Sequence, residues 1–181
     1  KQIYTKKVII NELNTRYKRS IRLIGLALLL STTSLNGQFL KDSTSINLIK
    51  KGIDYVYNFQ FNNAEKVSGE LLKLYPGHPV IWLFRGMITY WENYPLIPTS
   101  EARASFEEDL KKCIELCDKN KNPATEAEIL LVNLCARGLI LLYYADNDLS
   151  LEVFPLANST YHCIRRSFDF TTQYSDFYFF T

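Results

Sequence analysis

The chain is poor in the residues that punctuate or specialise a polypeptide: 181 residues hold seven glycines, six prolines, two histidines and one methionine, Met87. So little glycine and proline excludes a collagen-like or low-complexity chain. A net charge of +2, with both signs mixed along the sequence, lacks the basic footprint with which nucleic-acid binders displace counterions, so no nucleic-acid partner is expected. Also missing are an HExxH pair, a nucleophile elbow and a glycine-rich phosphate loop. No catalytic residue, metal site or cofactor is therefore expected, and the chain reads as not an enzyme. What is present is apolar content: 47% of residues are hydrophobic, enough at this length to build a core.

The residues that could carry chemistry all have plainer readings. Cys113 and Cys117 share one helix face, a spacing that can hold a metal, but no further ligand stands near them in sequence. They read as small apolar packing residues. A disulfide from Cys135 or Cys163 to one of them stays open, because spacing alone does not give its geometry. His78, within Tyr-Pro-Gly-His-Pro, reads as a turn residue, and His162 points away from its neighbour Cys163 if both are helical. Glu101, Glu107 and Glu108 read as solvated charge, and the mixed-sign run Glu107 to Lys119 as a solvated outer face.

Near the start, Arg16, Lys18, Arg19 and Arg22 precede the uncharged run Leu23 to Leu30, followed by small polar residues up to Gly37. That order is that of a secretory signal peptide over residues 16–37, with cleavage before Gln38. As a helix, Leu23 to Leu30 spans roughly 12 Å, against about 30 Å of bilayer hydrocarbon, so a retained anchor is the weaker reading. Residues 1–15 are an upstream extension without expected structure. Export to a periplasm or cell envelope follows, with no stable transmembrane span after cleavage. The Gly-Gln junction resembles those of exported proteins of Bacteroidetes-type bacteria.

Beyond residue 44 the pattern is helical and it repeats. Leu48 and Gly52 recur as Trp82 and Gly86, each 34 residues on. With Gly52 as the eighth position of a unit, Tyr55, Ala64 and Pro76 fall at the eleventh, twentieth and thirty-second. In the second unit Ala102 and Phe106 take the twentieth and twenty-fourth positions after a turn lengthened by residues 93–99. A third, divergent unit places Gly138 at the eighth position and Ser150, Phe154 and Ala157 on its second helix. Small residues let two helices approach closely, and proline ends the second helix. Pro155 would then sit in the first turn of a helix that starts late.

This spacing resembles the tetratricopeptide repeat family. The resemblance implies an all-α fold of antiparallel helical hairpins stacked as a solenoid over residues 45–181. Its first hairpin would run Ser45 to Phe59 and Asn63 to Leu74. It also implies an inner groove lined by Ile46, Ile49, Ile53 and Val56 of the first unit and Val80, Leu83, Met87 and Tyr90 of the second. None of these is Lys or Asn, so a carboxylate clamp is not implied. An apolar wall of this kind receives a protein or peptide partner, or is covered by helices of the same chain beyond Thr181. The aromatic stretch from Phe168 to Phe180 reads as the opening of such a helix. The expected function is a noncatalytic protein-binding scaffold of the envelope; the alternatives are the helical domain of a larger enzyme with catalytic residues beyond Thr181, and a membrane-anchored assembly factor. Ile129 to Ala145, apolar apart from Asn133 and Arg137, reads as a buried core helix.

Overall fold

The structure, a computed structural model, describes residues 39–171. The expected signal segment, the upstream extension and the aromatic residues 172–180 lie outside the described residues. Among the described residues there is no strand. Six α-helices follow one another: α1 Ser43–Tyr57, α2 Phe61–Leu74, α3 Pro79–Glu92, α4 Ala102–Lys119, α5 Glu126–Asp146 and α6 Ser150–Ser167. Each packs on the next, and α3 also touches α1 and α5.

Local chemistry sets the helix ends. Asp42 caps α1, its side chain accepting from the Thr44 amide at 2.9 Å. Pro79 occupies the first turn of α3, where a missing amide costs nothing, and the His78 ring caps that helix through Nδ1. The even helices end on Lys73, Lys119, or Arg165 and Arg166, cations suited to the negative end of a helix dipole. The odd helices have no basic residue in the last turn. They end instead on Asn58, Asn93 and Asn147, whose side-chain amides donate back to the carbonyls of Asp54, Thr89 and Tyr143 at 2.7, 2.9 and 2.9 Å.

Three expectations need correction. The first hairpin is shifted toward the N-terminus: Asp42 starts α1 earlier, and Phe59, at φ 57°, ends it before residue 59 and lets α2 begin at Phe61. The fold also reaches ahead of Ser45, because Phe39 is 1% exposed and belongs to the core. Finally, α6 does not start late. It begins at Ser150, so Pro155 stands in its second turn, on an exposed side where water can reach the carbonyl left without its amide partner.

The main core runs through α1 to α5, with Val153 and Leu156 of α6 at its margin, and Leu130, Leu134 and Cys163 form a smaller cluster between α5 and α6. Ile81, Phe84 and Ile88 of α3 share this core with Val56, Ala64, Val67 and Leu71 of α1 and α2 and with Phe106, Leu110, Ile140 and Tyr143 of α4 and α5. That is why α3 is apolar nearly all round. The segment Pro123–Asp146, with mean hydropathy 1.5, is long and apolar enough by composition to cross a membrane, yet 61% of its most apolar window is buried inside this fold. α5 is the core helix between α4 and α6.

Candidate functional site

The small residues of the first two units stand where helices press together. A Cβ on Gly52 would come within 2.4 Å of the Phe84 ring and 3.1 Å of Val67. On Gly86 it would meet the Leu110 side chain at 2.7 Å. Ala64 and Phe106 are fully buried, Leu48, Tyr55, Trp82 and Ala102 pack on the core from its margin, and Pro76 is exposed in the turn after α2. Gly138 corrects the third unit. It is exposed, and a Cβ there would touch nothing within 4 Å, so it marks no close approach between helices. The tightly buried small residue of α5 is Ala136 instead.

The expected groove divides in two. Val56, Val80 and Tyr90 are buried in the core and cannot line an open wall. Tyr90 is held there by α5: its hydroxyl donates to Asp146 at 3.3 Å, and burial together with that carboxylate pushes its pKa up to about 12. Ile46, Ile49, Ile53, Leu83 and Met87 remain half-buried. Four of these, all but Ile46, also pack against the core, leaving a shallow apolar wall on α1 and α3.

Two polar clusters were not foreseen. Arg137 of α5, 4% exposed, donates through Nη2 to both carboxylate oxygens of Asp118 (3.3 and 3.0 Å), through Nε to Asn133 (2.9 Å) and through Nη1 to Ser159 (2.6 Å). It thereby ties α4, α5 and α6 together, beside a cavity of about 450 Å³ lined by Asp118, Asn120, Lys121, Asn133 and Arg166. Every guanidinium nitrogen has a partner, so a buried cation is held by a half-exposed carboxylate and neighbouring polar groups in a structural tie between helices.

The second cluster joins the start of the fold to its middle. His78 Nδ1 accepts from the Val80 amide, which leaves Nε2 as the donor to Glu128 Oε1 at 2.8 Å. The same oxygen accepts the Phe39 amide at 3.0 Å, and the Phe39 ring stacks on His78 with centroids 5.1 Å apart. Tyr75 and Ser45 complete the cluster through hydrogen bonds to the Asp42 carboxylate and the Phe39 carbonyl. His78 is thus more than a turn residue, yet its two nitrogens are both committed.

The mixed-sign face of α4 also needs correction. Asp109 is buried, and burial raises its pKa against the opposing pull of Arg85, whose Nε lies 3.3 Å away. Burial also works to raise Glu107, but hydrogen bonds from Lys111 and Arg103 prevail and hold its carboxyl below the ordinary range. Glu101, Glu108 and Lys119 are exposed as expected.

All four cysteines are free thiols. Cys117 is raised by its hydrogen bond with Cys113 and by burial, Cys163 by burial, and Cys135 by burial to about 11. Protonated thiols are poor nucleophiles and poor metal ligands. Among the described residues no group of three His, Cys, Asp or Glu side chains is placed to hold a metal ion.

Comparison with known proteins finds no matching family model, no matching curated protein and no matching solved structure.

Proposed function

We propose that this chain is a noncatalytic interaction scaffold, exported to the bacterial envelope and built from helical hairpins stacked in the manner of tetratricopeptide repeats. The observation that carries the reading is the pair Gly52 and Gly86. They stand one 34-residue period apart, and each lies where a neighbouring helix leaves no room for a side chain. Packing of each helix on the next, with α3 touching α1 and α5, suits a stack of hairpins. The half-buried wall of Ile49, Ile53, Leu83 and Met87 suits contact with a polypeptide. Committed polar groups and protonated thiols favour binding over chemistry.

The test is the mature N-terminus and intact mass of the protein recovered from its native cells, by fraction. Recovery from the envelope with an N-terminus near Gln38 is expected. Recovery from the cytosol with the Leu23 to Leu30 run intact would overturn export, and intact chain in the membrane fraction would make it an anchored assembly factor.

A further inference from the structure

The C-terminal ends of α1, α3 and α5 come together along one edge of the fold. Tyr57 lies 6.1 Å from Trp91 by ring centroids, Trp91 lies 5.5 Å from Tyr94, and Tyr90 reaches from α3 to Asp146 on α5. Asn147 fixes the same edge by donating to the Leu96 carbonyl at 3.1 Å. The edge is apolar where it should be solvated: Tyr57 is 64% exposed, Phe59 77% and Tyr94 60%.

It is also acidic. No lysine or arginine occurs in residues 52–65, 86–102 or 138–164, the three stretches that build this edge. Asp54, Glu92, Asp146 and Asp148 are all exposed there. Because the odd helices end on asparagines, no cation offsets their C-terminal dipoles either. Of the flanking cations, Arg85 is bound to Asp109 at 3.3 Å, Arg103 to Glu107 at 2.7 Å, and Lys51 lies over the Tyr55 ring.

Phe59 adds another exposed aromatic beside Tyr57. It takes the left-handed conformation, φ 57°, which is unfavourable for a bulky residue and suits glycine, and it does so with its ring in water. That conformation closes the C-terminal turn of α1, and the ring meets Phe61 edge-on with centroids 6.2 Å apart while most of it stays open to a partner.

Resting on the scaffold reading, we propose that this edge is the docking surface for a cationic amphipathic segment of another polypeptide, its apolar side chains lying on Tyr57, Phe59, Trp91 and Tyr94. Its lysines or arginines meet Asp54, Glu92, Asp146 and Asp148, and charge complementarity selects it over neutral or acidic segments. Arginine is favoured over lysine, since its planar cation also stacks on exposed aromatic faces.

The test is binding of a fluorescein-labelled peptide with leucine and arginine at helical spacing, compared with its twin carrying glutamate for arginine. Saturable, salt-sensitive binding of the cationic peptide alone is expected. The triple variant Asp54→Asn, Glu92→Gln, Asp148→Asn should weaken it by about tenfold or more, as loss of several complementary charges does. The equal-charge control Glu70→Gln, Glu108→Gln, Glu115→Gln should not. Phe59→Gly should lower affinity by about fivefold while leaving Tm unchanged or raised, since glycine suits that backbone. Binding that tracks the control, or is indifferent to Phe59→Gly and the acidic triple alike, would overturn the edge and leave the scaffold reading intact. Failure of both peptides to saturate would overturn the edge, and photo-crosslinking from Met87 on the apolar wall then decides separately whether the scaffold reading survives.

Discussion

Gly86 and Gly138 sit in neighbouring odd helices, and their surroundings are opposite. Leu110 lies 2.7 Å from where a Gly86 Cβ would stand, whereas Gly138 faces open space. Gly86→Leu should therefore lose about 1–3 kcal/mol through overpacking. Gly138→Ala should gain up to about 1 kcal/mol, because alanine loses less backbone freedom in a helix. Thermal or denaturant unfolding of the two variants separates them, and equal losses would contradict the placement of Gly86 against α4. The thiols make a second residue-scale prediction. Cys135 is pushed from 9.0 to about 11 in the fold, so the folded chain keeps a proton that the unfolded chain releases in that window. Its contribution is fully present below pH 9 and is lost as pH rises toward 11. Native protein should react slowly with a thiol reagent at pH 8 and fully once unfolded, and Cys135→Ala should flatten the alkaline loss of stability.

At the scale of elements, much was legible in sequence where the signal is local or periodic. The 34-residue recurrence of Gly52 and Gly86 identified two points of close helix approach, and the apolar character of α3 and α5 announced their central positions. The rest depended on partners far apart in sequence. Nothing near Arg137 reveals that Asp118 and Ser159 will neutralise and saturate it from two other helices, and nothing near Phe39 points to Glu128. One series is local in sequence: Asn58, Asn93 and Asn147 end α1, α3 and α5 with the same amide-to-carbonyl bond. That series marks the helix ends better than Gly138 marks the third unit. The start of α6 departs from the sequence expectation because a proline suits the first turn of a helix, yet Glu152 already places a carboxylate in the first turn after Ser150. Since Pro155 interrupts the second turn on an exposed side, Pro155→Ala should restore one backbone bond and stabilise α6. Slower amide exchange in residues 151–158 is the expected result, and faster exchange would show that the proline fixes the turn.

For the molecule as a whole, stability depends on joining the first hairpin to the later helices. Phe39 and His78 against Glu128 form one such joint, linking the segment before α1 to α5. Phe39→Ala should cost about 3–5 kcal/mol, as for other fully buried phenylalanines. Glu128→Gln, which keeps one acceptor, should cost less, on the order of 1 kcal/mol. A Phe39→Ala loss no larger than that of an exposed residue such as Phe154 would show that the N-terminal turn does not dock as described.

The scaffold reading is tested most directly by photo-crosslinking in native cells from a benzoylphenylalanine placed at Met87 on the apolar wall, with Glu115 on α4 as the outward control. Discrete polypeptide adducts from Met87, absent from Glu115, are expected. A Met87 probe that yields no polypeptide adduct while the protein is folded and correctly exported would contradict a role in holding a partner.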